Sequence, residues 1–302
     1  MKVIRGNLKG KKGIPRNGLC LGVHRAGIIE RRLAKKLNRP LTIWSLRPDN
    51  EFLAYDKADT QHRGLSATDN LDEIDDALIF GVRGAPPQVR EEAAKRGLEI
   101  VADATCPYVT EQEEAAVEFL ERGLNLVMLS DPNHHGIPRI RGIAEKLGQS
   151  LFIVPTVAEV DDINLTRFEP IGVMVQTTFW IESYKEIIAA LLDRFANVHI
   201  RNTACIDSLQ RLPVVVELAR ETDAIVIVGW TEGMTTRMVE TAKSCTDKVF
   251  EIKHPDDLDP TWFRGTLTVG VIGANETPEW MVEETVNRLE AMADAEDHHS
   301  TP

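Results

Sequence analysis

One pattern occurs three times along the chain of 302 residues, and each copy begins at a cysteine. The cysteine is followed by an amphipathic segment with helical periodicity, and an apolar run typical of a strand begins roughly twenty residues past it. The three cysteines are Cys20, Cys106 and Cys205. Because an internal repeat of this length decides the whole fold, it constrains the chain more than any other feature.

The second half of each copy also matches. A short apolar segment flanked by acidic residues precedes a second apolar strand, which ends in a turn and leads into another amphipathic helix. These strands and turns occupy 77–88, 171–180 and 267–280. Since strands and helices alternate at this spacing, we expect an α/β fold with small, mostly parallel sheets joined by right-handed crossovers. The sequence therefore predicts three pseudo-equivalent α/β lobes around a central site.

The repeat also sets the expected boundaries. We assign a first lobe with an N-terminal arm to 1–105, a second lobe to 106–203 and a third lobe to 204–290. The segment 291–302 is acidic and lacks apolar periodicity, so we expect a disordered tail there.

The equivalent placement of the three cysteines indicates a shared role. Each is expected where a strand ends and a helix begins, whereas Cys245 has no counterpart. Three thiolates that converge form a soft, anionic ligand set suited to an iron–sulfur cluster or to zinc, although scattered cysteines are also common as buried apolar residues. A four-iron cluster held by three cysteines leaves one iron open, which is typical of a catalytic site.

Composition excludes some classes of function. Lys and Arg number 35 and Asp and Glu 47, a net charge of −12, which argues against a nucleic-acid or anionic-membrane binder. No apolar run approaches the ~18 residues of a membrane span, and the N-terminal segment lacks the apolar core of a signal peptide, so we expect a cytoplasmic protein. A G-x-G-x-x-G fingerprint after a strand is absent from the sequence. A redox reaction would therefore take its electrons from an external ferredoxin- or flavodoxin-like donor and act on a small molecule.

Four segments resemble motifs of the 4-hydroxy-3-methylbut-2-enyl diphosphate reductase family. They are NGLCLGVHRA at 17–26, DATCPYVT at 103–110, VQTT at 175–178 and NTACIDSLQR at 202–211. The resemblance runs from about residue 13 to residue 290. It implies a three-lobed α/β protein with a central [4Fe-4S] cluster held by the three repeat cysteines. It also implies reductive removal of an allylic hydroxyl from a diphosphate ester, in a non-mevalonate route to isoprenoids.

The expected substrate pocket departs from the family pattern. The family's A-H-G histidine falls on Arg83, and its G-H-P-E-V segment keeps the histidine as His134 but has Gly136 in place of the glutamate. The serine and asparagine clamp for the diphosphate is replaced at 233–236, and its last serine aligns with Glu276. A further H-N-x-Y histidine falls near Asp49 and Asn50, in a loose alignment.

These departures give the candidate site residues. Because Gly136 cannot titrate, His134 or His135 would replace the proton donor. Glu232 and Glu276 would oppose a multiply anionic ligand by roughly several kcal/mol if desolvated, and Arg83 would offset one charge. We assign catalytic roles to His134, Thr177 and Glu276. The predicted substrate-binding residues are Arg83, His135, Gln176, Thr178, Glu232, Thr235, Thr236 and Asn275.

The leading expectation is therefore an iron–sulfur oxidoreductase that cleaves a C–O or other C–heteroatom bond of an altered substrate. One alternative is a genuine 4-hydroxy-3-methylbut-2-enyl diphosphate reductase. A second is a non-redox hydro-lyase in which the open iron acts as a Lewis acid. A third is a cluster-bearing sensor without turnover.

Overall fold

The computed structural model describes residues 1–9, 15–37, 39–47, 64–179, 181–230 and 233–299. The strands of these ranges are β1 Lys2–Arg5, β2 Leu8–Lys9, β3 Pro15–Arg16, β4 Leu41–Trp44, β5 Leu65–Thr68, β6 Ala77–Phe80, β7 Glu99–Asp103, β8 Asn125–Leu129, β9 Leu151–Val154, β10 Ile171–Val175, β11 Val198–Arg201, β12 Ala224–Val228, β13 Val249–Ile252 and β14 Thr268–Gly273. The helices are α1 Leu21–Leu37, α2 Pro87–Lys95, α3 Pro107–Glu121, α4 Ile137–Lys146, α5 Ile181–Arg194, α6 Ile206–Glu221, α7 Met234–Lys243 and α8 Glu279–His299.

Three parallel sheets share one strand order. The four-stranded sheets run β5-β4-β6-β7, β9-β8-β10-β11 and β13-β12-β14-β1. In each sheet the strand that follows the cysteine helix (β4, β8 or β12) lies between the next two strands along the chain. The fourth strand (β7, β11 or β1) forms one edge of the sheet. This arrangement confirms the predicted α/β class and its three equivalent lobes.

The third sheet is completed by the N-terminal strand. β1 pairs in parallel with β14, with Lys2 opposite Thr268 and Arg5 opposite Val271. This pairing differs from the predicted boundary, which places the N-terminal segment in the first lobe. Each sheet thus ends on the strand that precedes one of the repeat cysteines, and for Cys20 that strand is β1.

The central strands form the core of each sheet because they are apolar on both faces. All five residues of β10 and all five of β12 are buried, as expected for parallel strands covered by helices on both sides. Gly172 in β10 lies so close to α3 that a Cβ at this position would come within 2.5 Å of the ring of Phe119. The helices therefore pack directly on the sheets.

The described residues form two compact units. The first unit contains Met1–His24 and the chain from Ile206 onward, and it holds the third sheet. The second unit contains the described residues of 25–205 and holds the other two sheets. Within the second unit α2 contacts α4, where Gln88 donates a hydrogen bond to the carbonyl of Gly142.

The last helix extends past the predicted start of the tail. α8 continues to His299, and its buried stripe of Val282, Val286 and Leu289 is prolonged by Ala293. The helical period therefore persists beyond residue 290, where the prediction of disorder began. Neither α8 nor any other helix in the described ranges is long and apolar enough to cross a membrane.

Candidate cofactor and substrate site

The three repeat cysteines are held by the same backbone hydrogen bond. Each cysteine directly precedes a helix, namely α1, α3 or α6. Each cysteine N–H donates to a carbonyl two residues beyond the end of the third strand of a sheet. These bonds are Cys20 to Asn275 at 2.8 Å, Cys106 to Val82 at 2.9 Å and Cys205 to Thr177 at 2.9 Å. The cysteines thus occupy one structural position, repeated once per sheet.

The thiols form no disulfides, are partly exposed and lie close to backbone donors. The N–H of Val23 lies 3.4 Å from Sγ of Cys20, and the N–H groups of Tyr108 and Val109 point at the sulfur of Cys106. Burial raises the pKa of the Cys106 thiol; the two N–H groups oppose this shift, nearby Cys205 adds to it, and the Arg25 guanidinium opposes it. Thiolates that accept N–H bonds at helix starts are suitable ligands for an iron–sulfur cluster. The donor set therefore fits this cofactor.

The convergence of all three sulfurs stays a prediction. Cys20 belongs to the first unit, and Cys106 and Cys205 belong to the second. Among the residues that the structure describes, no group of three or more His, Cys, Asp or Glu side chains is close enough together to hold a metal ion.

The residue after each carbonyl that accepts a cysteine N–H differs in charge among the three loops. The equivalent residues are Arg83 after β6, Thr178 after β10 and Glu276 after β14. Arg83 is buried, whereas Thr178 and Glu276 are half-buried. Three of the predicted site residues therefore share one structural position and present a cation, a hydroxyl and an anion.

The side chain of Gln176 is hydrogen-bonded to Thr178 and to the loop after β8. Its side-chain oxygen accepts hydrogen bonds from the Ser130 hydroxyl at 2.8 Å and from the Asp131 N–H at 2.9 Å, and its NH₂ group donates to Oγ1 of Thr178 at 2.8 Å. The Gln176 side chain is therefore buried and bonded at both ends, and its contact with a ligand stays a prediction. The carbonyl of Thr177 is the anchor for Cys205.

The His134 ring is held by the backbone of Gly136, two residues farther along the chain. The N–H of Gly136 donates to Nδ1 of His134 at 3.1 Å, so the hydrogen of the neutral ring resides on Nε2. A Cβ on Gly136 would lie 3.0 Å from the His134 ring. A side chain at this position would therefore require the His134 ring to shift by a few tenths of an ångström.

His135 lies in a strongly positive environment. Its ring centroid is 4.2 Å from that of His134. Burial holds the pKa of His135 well below its usual value, and the positive charges of His134, Arg83, Arg139 and Arg47 lower it further. His135 is consequently neutral at pH 7, and this corner of the second unit favours an anionic group.

Acidification is expected to destabilise the fold through His135. Below about pH 6.5 the unfolded chain binds a proton at this residue that the folded protein does not, so the free energy of unfolding falls by up to about 1.4 kcal/mol per pH unit. Thermal unfolding between pH 7 and pH 5 measures this slope. The variant His135→Asn should lose it, and the exposed-site control His24→Asn should keep it; equal slopes in both variants would contradict the assignment.

The substrate-binding residues predicted in the first unit differ in how exposed their side chains are. Thr235 is buried, and a Cβ on Gly229 would approach its hydroxyl to 2.9 Å, whereas Thr236 is exposed on α7. The carbonyl of Asn275 anchors Cys20, and the Asn275 side chain is half-buried. The predicted Glu232 lies outside the described residues, as do Asp49 and Asn50.

A buried network behind Arg83 was missed in the sequence. The guanidinium of Arg139 donates to the carbonyl of Arg83 at 2.7 Å and to the side chain of Gln112 at 2.9 Å, and its Nε lies 2.6 Å from Glu113. Burial raises the pKa of Glu113, and Arg139 and Arg90 oppose that shift. The only signal in the sequence is the polar pair that follows Cys106 by six and seven residues inside an amphipathic helix.

Comparison with known proteins assigns the family. The profile described as LytB protein matches residues 14–290. A relative from Pelobacter propionicus named 4-hydroxy-3-methylbut-2-enyl diphosphate reductase is 29% identical over 276 residues, covering 91% of this chain and 95% of the relative. One of the same name from Methylibium petroleiphilum is 29% identical over 280 residues, covering 91% and 83%.

Solved structures agree with this assignment. The structure of (E)-4-hydroxy-3-methyl-but-2-enyl diphosphate reductase, the terminal enzyme of the non-mevalonate pathway, aligns with a TM-score of 0.67 at 26% identity, covering 91% of this chain and 96% of that one. The reductase from Plasmodium falciparum has the same fold, with a TM-score of 0.82 at 20% identity over 95% and 87%. The predicted resemblance and the predicted oxidoreductase class are confirmed at the level of the family. The chain belongs to the LytB family.

Proposed function

We propose that the chain is a [4Fe-4S]-dependent reductase that uses Cys20, Cys106 and Cys205 as ligands and removes a hydroxyl or other heteroatom group from a substrate unlike that of its named relatives. Replacing C–OH by C–H consumes two electrons and two protons and releases water. When bound, the cluster would supply the electrons and a Lewis-acidic iron with one open position. A ferredoxin- or flavodoxin-like protein would deliver the electrons.

The repeated anchoring of the cysteines carries this proposal. Three thiols at one structural position, each at a helix start and each tied to the end of a central strand, are what a protein needs to present equivalent ligands. Membership of the LytB family supports the same ligand set. Cys245, which follows α7, has no such anchor in the repeat.

The proton would come from His134. Its Nδ1 accepts the Gly136 N–H, which leaves Nε2 as the donating atom. An imidazole can hold and release a proton near neutral pH, so it can take over the role of a carboxylic acid. Gln176 would meanwhile keep the Thr178 hydroxyl oriented toward a polar group of the substrate.

The altered charges support a different substrate. A multiply anionic ligand would meet Arg83 in the second unit, but the equivalent position of the first unit carries Glu276. A carboxylate close to a desolvated phosphate group is unfavourable. We therefore infer a substrate with fewer negative charges than a diphosphate, or with a cationic or neutral group in reach of Glu276.

The second candidate is reduction of 4-hydroxy-3-methylbut-2-enyl diphosphate itself. The names of the relatives favour it, and so does the positive environment of His135. The two candidates differ only in the substrate, so they share the cluster and the cysteine ligands.

Turnover by anaerobically reconstituted protein separates these candidates. We expect the protein, supplied with a reduced one-electron donor, to convert the diphosphate far more slowly than the about 1 to 1,000 per second that is ordinary for enzymes, and to reduce allylic alcohols of lower charge faster. Mass spectrometry of the products measures both rates. Ordinary turnover of the diphosphate would support the second candidate and contradict the altered pocket.

The same assay tests the two other classes. Turnover without any reductant would indicate a hydro-lyase. A bound cluster whose spectrum does not respond to any compound, with no product formed, would indicate a sensor.

A further inference from the structure

Each helix that follows a repeat cysteine carries a polar side chain about one and a half turns into the helix. The side chains are Arg25, five residues after Cys20, and Gln112 and Arg211, six residues after Cys106 and Cys205. Each of them donates to a backbone carbonyl far away in sequence. Each of the three carbonyls lies in the segment before a different repeat cysteine, or in a strand end to which that segment is tied.

Arg25 holds the segment that leads into Cys106. Its Nη1 donates to the carbonyl of Thr105 at 3.0 Å and to that of Ala104 at 3.3 Å. These are the two residues directly before the cysteine. Both hydrogen bonds lie within the second unit.

Gln112 holds the strand end to which the segment before Cys205 is tied. The fully buried Gln112 donates to the carbonyl of Val175 at 2.8 Å. Thr203, two residues before Cys205, donates its hydroxyl to the same carbonyl and accepts from the Val175 N–H at 2.9 Å. These contacts also lie within the second unit.

Arg211 holds the segment that leads into Cys20. Its fully buried guanidinium donates to the carbonyl of Gly18 at 2.9 Å and to that of Gly273, the last residue of β14. Gly18 lies two residues before Cys20. Asp207 pairs with the same guanidinium at 2.8 Å, and all of these residues belong to the first unit.

We propose that Arg25, Gln112 and Arg211 are positioning residues for the cysteine ligands, linked in cyclic order: the helix after Cys20 positions Cys106, the helix after Cys106 positions Cys205, and the helix after Cys205 positions Cys20. The inference rests on the proposed function in one respect, which is that the cysteines are ligands. Its structural content is that the helix of one ligand holds the segment of another, directly for Cys106 and Cys20 and through the carbonyl of Val175 for Cys205. Displacing one helix therefore disturbs a second cysteine as well as its own.

Arg25 offers the cleanest test because its side chain is exposed and its replacement leaves the core intact. The variants are Arg25→Met, the charge-preserving Arg25→Lys, and the control Arg32→Met, which alters an exposed arginine seven residues farther along α1. Hydrogen exchange at the Cys106 amide of the cluster-free protein reports on positioning. Release of iron to a chelator from the reconstituted protein reports on its consequence for the ligand.

We expect Arg25→Met to accelerate both exchange and iron release by about 3- to 10-fold, the size of one lost hydrogen bond of a partly solvated group. Arg25→Lys should recover most of this loss, and Arg32→Met should match the unaltered protein. An unchanged exchange rate in Arg25→Met, or equal effects of Arg25→Met and Arg32→Met, would overturn the inference. Unaltered protein that takes up no iron would contradict the proposed function instead, and the exchange data would still decide whether Arg25 holds the segment.

Discussion

The substitutions Cys20→Ser, Cys106→Ser and Cys205→Ser are each expected to lower the iron and sulfide bound after anaerobic reconstitution to below about a tenth of the unaltered level. Serine supplies a harder oxygen with a much higher pKa than a thiol, so it is a poor ligand for an iron–sulfur cluster. Each cysteine occupies the same anchored position, so the three losses should be similar. Iron and sulfide analysis and the visible absorption of the anaerobic protein measure the effect.

Cys245→Ser is the matched control. Cys245 also forms no disulfide and is partly exposed, but it follows α7 and its sulfur lies 3.7 Å from the hydroxyl of Ser244. We expect this variant to retain its full complement of iron. Equal retention, or equal loss, in all four variants would refute the ligand assignment.

The substitution Asp207→Ala is expected to lower the free energy of unfolding by about 3–5 kcal/mol. The Asp207–Arg211 pair is almost fully buried, with 3% and 0% of the two side chains exposed. Removing the carboxylate takes away the buried counter-ion of Arg211, and among the described residues the carbonyl groups of Gly18 and Gly273 remain to solvate its charge. Unfolding of the cluster-free protein in urea measures the change as a shift of the midpoint.

The pair of Glu284 and Arg288 provides a control with the same spacing. Its N–O distance is also 2.8 Å, but 45% and 38% of the side chains are exposed. Glu284→Ala should therefore shift the midpoint far less than Asp207→Ala, because solvent screens an exposed pair. If both variants shift the midpoint equally, burial is not what makes the Asp207 pair important.

The sheets were predictable because their central strands are continuous apolar runs. β8, β10 and β12 are buried on both faces, so their sequences are apolar runs that can be recognised without a structure. β1 was not predictable in the same way, since Lys2–Arg5 is short and charged at both ends. It becomes a strand because β14 offers an open edge, and that contact joins residues more than 260 positions apart.

Site residues could be predicted where the residue type itself indicates the chemistry. They could not be predicted where their role depends on a contact with a residue far away in sequence. The cysteines stood out through the repeat, and Arg83 through its alignment with the A-H-G histidine of the family that the sequence resembles. The burial of Arg139 depends on the carbonyl of Arg83, which is 56 residues away in sequence. An arginine in an amphipathic helix is usually exposed, so the sequence pattern favours the surface. The hydrogen bonds to the oxygen of Gln176 likewise come from Ser130 and Asp131, which are 46 and 45 residues away in sequence.

The most direct test is Mössbauer spectroscopy of anaerobically prepared protein enriched in the Mössbauer-active iron isotope. It shows whether the thiols of the three repeat cysteines bind one four-iron cluster. We expect a spectrum in which three irons are alike and the fourth is distinct, with only the distinct iron responding to added ligand. A protein that binds zinc in place of iron, or a cluster with four indistinguishable irons, would contradict it.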